Sequence, residues 1–355
     1  MKTLIKYIKH KFTGDNPIDY WVNEYRKYLL GEGQELHTVD ENIAKISQVL
    51  FLTNKEQISD IRGKDALMAK RLLMQVPSNV HKKKCFKDLD LFQAIAINKA
   101  LNEQVLAPAT VRGKIQACSS FFKYLQKMEV TDINPFCGMK VKAGKSETPN
   151  QRFPLTEAQL VILFKFGWFT SGTPKKPYHY WVPLLLRYTG ARLNEVCQLR
   201  AENIIQRNNI WYILITDEGE EQRVKTKNSV RQVPIAKELL RLGFIEFATN
   251  LSGELFPELP VRKGMKSTNA TKWAQYWRDK NGFGTGHDLH SLRHNFTSEL
   301  MKSGIKEELA NALVGHSKHG FTYSTYGHSY PLDLLAECVN TIDTSFTKHV
   351  TPYHQ

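Results

Sequence analysis

The stretch LAPATVRGKIQACSSFFKYLQKM, residues 106–128, constrains this chain more than any other. Val111, Ile115, Cys118, Phe122 and Leu125 recur every three or four positions, so a helix here carries one apolar stripe. A stripe of that kind is stable only when other elements cover it, and the amino-terminal part is read as a helical unit. Pro108 suits the first helical turn. The helix ends at INPF, because Asn134 before Pro135 is pushed out of the α region. Arg112, Lys114 and Lys123 are placed off the stripe, and IDYWVNEYRKYLL (18–30) is a second amphipathic helix.

The longest apolar runs, such as Val161–Phe164 and Trp181–Leu186, fall far short of a membrane span, which needs about 18 residues. The basic start, MKTLIKYIKHKFTG, has neither a continuous apolar stretch nor a small-residue cleavage site, so a signal peptide is not expected. Cys85, Cys118, Cys137, Cys197 and Cys338 are scattered and form no C-x-x-C, which fits reduced cytosolic thiols and opposes a disulfide framework or a zinc site. Lys and Arg number 49 against 35 Asp and Glu, a formal charge of +14. Such an excess points to a polyanion, with nucleic acid ahead of an anionic membrane surface; a merely basic enzyme is the alternative.

The 355 residues suggest two domains or one large one, and the chain is divided into two. Residues 1–142 are assigned to the helical unit, 143–153 to a polar basic linker, and 154–355 to a second domain ending in a helix and tail. In the second domain Thr156 and Gln159 are spaced as a capping box. Residues 180–199 read as helix, a tight turn at Thr189–Gly190, then helix. Three short strands are expected at 209–215, 222–228 and 231–235. Further on, NATKWAQYWRDK (269–280) is read as a helix with Trp273, Tyr276 and Trp277 on one face.

The segment GHDLHSLRHNF (286–296) packs three histidines and an arginine into eleven positions. Asp288 is a plausible cap, and Leu289, Leu292, Phe296 and Leu300 form the buried face of a helix ending near Ser303–Gly304. His290 and Arg293, three apart, share another face near the helix start, where free N–H groups and the dipole favour an anion. Taken alone, a His-x-x-Arg pair is weak evidence. Arg192 follows the Thr-Gly turn, Lys225 lies at or near a β-turn, His316 follows Gly315 at a helix end, and Tyr326 comes ten residues later.

The order T-G-x-R-x-x-E, K-T-x-x-S-x-R-x-V-P-I, His-x-x-Arg-His, Gly-His and Tyr over 189–328 resembles the tyrosine recombinase, or phage integrase, family. The likeness runs from about 15 to about 340, with residues 106–126 and the following NPF similar to the family's core-binding domain. It implies a mainly α fold with a small antiparallel β-sheet: a helical core-binding domain and an α+β catalytic domain. It also implies that Arg192, Lys225, His290, Arg293 and His316 act with Tyr326 as nucleophile. The tyrosine sits one position later than the family's usual spacing, which leaves Tyr323 and Tyr330 as rivals; Lys227 rivals Lys225. His294 is read as packing or hydrogen bonding, His287 as a decoy, and Glu195 as a brace.

The activity implied is site-specific recombination of duplex DNA through a 3′-phosphotyrosyl link, without metal, ATP or other cofactor. Four protomers would act on two DNA sites in the cytoplasm, with accessory DNA-bending proteins as possible partners and no membrane contact. Arg112, Lys114, Lys140, Lys142 and Lys145 are assigned to the phosphate backbone, and two basic domains are expected to clamp the duplex. The helix in 330–342 is left open between docking on a neighbour and packing on its own core. The residues before 15 are too few for an arm-site domain, so either this chain lacks one or the sequence begins after it. Integration on a mobile element is preferred on the resemblance alone. The alternatives are a non-cleaving DNA-binding protein of the same fold, a topoisomerase or hairpin-end resolvase, and a His/Lys phosphodiesterase that forms no covalent link.

Overall fold

The computed structural model describes residues 17–142, 152–219, 221–224, 226, 229–262, 264–316 and 330–354. The chain divides into two compact units, Met1–Glu147 and Thr148–Gln355. Of the stretch 143–153, only Arg152 and Phe153 are among the described residues.

The first unit contains helices α1 (Pro17–Gly31), α2 (Leu36–Thr53), α3 (Gly63–Leu73), α4 (Leu91–Leu101) and α5 (Pro108–Lys127). The five stripe residues of α5 are all buried, joined by Phe121, and α5 packs against α2. Pro108 opens the helix as expected. Asp90 caps α4, accepting from the Gln93 backbone N–H while the Gln93 side chain accepts from the Asp90 N–H. Tyr25 and Tyr28 of α1 each meet the Tyr124 ring of α5 at a tilt.

Lys114 corrects the sequence reading. It lies three residues after Val111 and four before Cys118, on the edge of the stripe rather than off it. Only 8% of it is exposed, and its ammonium donates to the Gln48 side chain on α2. Burial, with Lys45 nearby, pulls its pKa down to about 8.

The second unit begins with α6 (Glu157–Phe164), α7 (Gly167–Ser171), α8 (Pro177–Thr189) and α9 (Leu193–Cys197). Every residue from Tyr178 to Thr189 is buried, so α8 is the axis around which the unit packs. Its end explains the Thr-Gly turn. Gly190 has φ +60, and a Cβ there would lie 2.3 Å from the Phe296 ring. The Thr189 hydroxyl donates to Leu185 O and accepts from the Ala191 N–H.

Strands β1 (Ile204–Arg207), β2 (Ile210–Ile215) and β3 (Arg231–Pro234) form an antiparallel sheet in that order. Arg207 pairs with Ile210 across Asn208 and Asn209, both at positive φ, the backbone that a two-residue hairpin turn requires. Tyr212 pairs with Pro234 and Ile215 with Arg231. The strand expected over 222–228 is absent among the described residues there, and β1 takes its place in the sheet. The backbone near 222 is held by side chains instead: Gln198 Oε1 accepts from the Arg223 N–H, and Gln222 Nε2 donates to Gln198 O and Asn203 Oδ1.

Next come α10 (Lys237–Arg241), α11 (Phe244–Thr249), α12 (Ser267–Lys280), α13 (Leu289–Lys302), α14 (Glu307–Val314) and α15 (Leu332–Val339). On α12 Trp277 is buried and Trp273 half-buried, but Tyr276 is 68% exposed, so the three aromatics do not share a covered face. Leu335, Cys338 and Val339 of α15 pack into the core of their own unit, against β3 and α14.

The residues after α15 form a strap across the same unit. Thr347 bonds Tyr188 and Glu238, and His349 reaches Phe164 O. The Thr351 N–H donates to Phe169 O, Tyr353 N–H to Leu242 O and His354 N–H to Gly172 O. The Tyr353 ring sits among Tyr180, Trp181 and Phe247.

Candidate active site

Arg192 occupies the N-cap of the short helix α9, directly after the Thr-Gly turn. Its backbone N–H and Nη1 both donate to the Glu195 carboxylate (2.8 and 2.7 Å). Nη1 also donates to Ser229 Oγ (3.0 Å) and Nη2 to Gly315 O (3.0 Å). The side chain keeps 23% of its surface open. Ser229 Oγ lies 3.1 Å from Thr226 Oγ1, so the residue between Lys225 and Lys227 is tied to Arg192 through two hydroxyls.

Asp288 caps α13 and accepts from the His290 N–H (2.8 Å), while Arg152 Nε donates to its other oxygen (3.0 Å). One turn into the helix, Arg293 is 96% buried, being 4% exposed. Its Nη1 donates to Gly190 O (2.5 Å), and its Nη2 lies 2.9 Å from His316 Nε2. His316 follows Gly315, the left-handed cap of α14, and is itself exposed. Arg192 and Arg293, 101 positions apart, therefore close on the same two-residue turn. Arg192 holds the carbonyl of Gly315 and Arg293 holds the ring of His316.

The electrostatics follow from that crowding. Burial and the Arg192 and Arg231 cations bring Arg293 down to about 9, still charged at neutral pH. Burial, Arg152, Arg293 and His294 press His290 down to about 4 against the pull of Asp288, so its ring is neutral at pH 7. His294 and His316 are lowered too, each by burial and then by Arg293. Burial pushes the Glu195 carboxyl up, but Arg231 and Arg192 outweigh it and hold the group below the usual carboxylate range. The site is thus a fixed positive cluster with imidazoles biased to the neutral form, suited to an oxyanion on which charge is building.

Four of the six expected residues, Arg192, His290, Arg293 and His316, belong to this cluster. Lys225 and Tyr326, with the rivals Lys227 and Tyr323, lie outside the described residues; Tyr330 is half-buried and packed against the core. The His294 ring stands edge-on to His290 at 5.2 Å. His287 has a buried Nδ1 without a hydrogen-bond partner and sits 6.1 Å from the Phe153 ring. The sequence reading passed over Arg152, Ser229 and Arg231, although Ser229 and Arg231 stand inside the quoted K-T-x-x-S-x-R box. Among the described residues no group of three or more His, Cys, Asp or Glu side chains could hold a metal ion.

In the first unit Arg112, Lys140 and Lys142 are exposed. Arg112 Nη2 donates to Val141 O (3.2 Å). Lys114 is occupied internally, as described, and does not present its charge to a backbone phosphate. Lys145 lies outside the described residues. Among the described residues no helix is long and apolar enough to cross a membrane.

The phage integrase family model matches residues 155–332, half of the chain. The integrase of Escherichia phage P2 is 26% identical over 255 residues, covering 68% of this chain but 65% of that protein. A tyrosine recombinase of Pseudothermotoga lettingae is 24% identical over 246 residues, covering 68% of this chain and 79% of that one. A lambda integrase dimer bound to a COC′ core site shares the fold, with a TM-score of 0.54 at 15% identity over 88% of this chain and 77% of that one. The Tn1549 transposon integrase in complex with transposon right end DNA gives 0.53 at 17% identity over 87% and 95%. By its family match and its mostly helical fold with one small antiparallel sheet, the chain belongs to the phage integrase family of DNA strand-transferring enzymes.

Proposed function

We propose that this protein is a site-specific DNA recombinase that cleaves and rejoins duplex DNA through a covalent link to Tyr326. The observation that carries the reading is the convergence of Arg192 and Arg293 on the Gly315–His316 turn, ten residues before that tyrosine. The scissile phosphate would sit against the two guanidiniums, whose planar forks grip non-bridging oxygens and stay charged throughout. Tyr326 Oη attacks phosphorus, and the deoxyribose 5′ oxygen leaves. Two negative charges are then shared over a pentacoordinate centre, and the cations stabilise that state more than the ground state.

His290, neutral in the free protein, is in the protonation state needed to accept the phenol proton. Lys225, whose sequence neighbour Thr226 is linked to Arg192 through Ser229, is the candidate proton donor to the leaving oxygen, with Lys227 as its rival. His316 hydrogen-bonds a non-bridging oxygen. The phosphotyrosyl product keeps the energy of the original diester, so a 5′ hydroxyl from a partner duplex reverses the step without ATP. Residues 1–142 serve as the core-binding domain, with Arg112, Lys140 and Lys142 on backbone phosphates. By analogy with a lambda integrase tetramer bound to a Holliday junction, four protomers act on two sites.

A nicked suicide substrate tests the reading. Wild-type protein in EDTA should give a slow-migrating covalent band on a denaturing gel, and Tyr326→Phe should give none. A band retained in Tyr326→Phe moves the nucleophile to Tyr323 or Tyr330. Intact binding with no wild-type band favours the non-cleaving reading.

A further inference from the structure

Behind the cluster lies a third guanidinium, Arg231 at the start of β3, with 6% of its side chain exposed. Its three nitrogens are all engaged. Nη2 donates to Glu195 Oε2 (2.9 Å), Nη1 to Ser229 O (2.7 Å) and Nε to Leu313 O (2.6 Å). Those bonds use three of its five N–H groups, and the side chain is buried, so its part is to hold protein groups rather than to grip a phosphate. What it joins is the informative part. Glu195 is the carboxylate that aims Arg192. Ser229 is the residue whose hydroxyl links Arg192 to Thr226. Leu313 is in the last turn of α14, three residues before His316.

We propose that Arg231 is a positioning residue for strand transfer. Its buried fork sets the spacing between Glu195, Ser229 and the end of α14, the three groups on which Arg192 and the Gly315–His316 turn rest, and so reinforces the bonds that Arg192 makes itself to Ser229 and Gly315. The proposal rests on the recombinase reading above. It also explains Gly315 more fully than backbone angle does. At φ +69 a glycine is favoured anyway, but a Cβ there would also stand 2.8 Å from Arg231 Nη1. The glycine leaves room for the fork, and the fork fixes the turn.

A lysine keeps the charge but offers one nitrogen where three partners stand in different directions. An error of about 1 Å at a reacting centre costs roughly 10²-fold in rate. The test compares wild type, Arg231→Lys and Arg231→Met for thermal unfolding, DNA affinity by gel shift, and single-turnover cleavage of the suicide substrate at saturating protein. The expected result is an Arg231→Lys protein that folds, binds DNA within about threefold of wild type, and cleaves roughly 10²-fold more slowly. Arg231→Met, which leaves Glu195 with one cation fewer, should be slower still or unfolded.

Wild-type cleavage by Arg231→Lys overturns the proposal, and so does loss of folding in both variants, which would make the residue merely structural. Loss of DNA affinity in step with rate also overturns it, because a positioning residue behind the site should not touch binding. Absence of the covalent band in wild type would instead sink the recombinase reading, and this inference with it.

Discussion

The positive charge of the candidate site and that of the amino-terminal unit are built differently. Arg192 and Arg293 are braced by carbonyls, a carboxylate, a hydroxyl and an imidazole. Lys140 and Lys142 stand exposed. Cations fixed before the substrate arrives stabilise charge that develops later, with little reorganisation. Mobile surface cations gain their effect by releasing counterions from DNA, which is affinity without geometry. The first kind is sensitive to shape, the second to salt.

The comparison breaks most easily at the guanidiniums. Arg192→Lys or Arg293→Lys keeps the charge and loses the fork, so cleavage should fall by about 10²–10³, the scale for losing one fixed donor to developing charge. Affinity measured by gel shift should change far less. A matching drop in affinity would mean that these residues act as ordinary phosphate clamps.

The surface charges give a smaller effect of another kind. Lys140→Ala and Lys142→Ala should each make the slope of log affinity against log salt shallower by about 0.9 per lost contact. Their loss should appear in binding, not in the rate of the bound complex. An unchanged slope would remove them from the interface.

The smallest effect sharpens the picture without DNA. In the free protein the His290 ring should titrate near pH 4 by NMR, and Arg152→Ala should raise that midpoint. The unfolded chain takes up this proton first, near its ordinary 6.5. The stability linked to His290 is therefore complete above that pH and is lost as pH falls toward about 4. A midpoint at the ordinary value would mean that the site is more hydrated than its contacts imply.

What the sequence revealed tracks how local each signal is. The α5 stripe, the Thr156–Gln159 box, the Asp288 cap and the Thr-Gly turn were legible because their causes lie within a few residues. The Asp90–Gln93 box has the same form, yet α4 escaped notice: Leu91, Phe92, Ile95 and Ile97 run around the helix without a single stripe. Strand β1 was missed although Asn208–Asn209 marks its hairpin. Lys114 was misplaced because its stem belongs to the stripe while its head belongs to Gln48.

In the candidate site, the family pattern named four residues, Arg192, His290, Arg293 and His316, that the structure brings together, but nothing in its spacing showed what Arg231 does. That role is visible only through bonds to residues 36 positions before it and 82 after it.

The strap has a consequence for how the protein is made. His349 satisfies a carbonyl 185 positions earlier, and Thr351 one 181 positions earlier. Closing contacts of such long range is slow, and neither can form until the later residues have been synthesised. Through most of translation, the helices at the front of the second unit wait with those carbonyls bare and the Tyr353 slot empty.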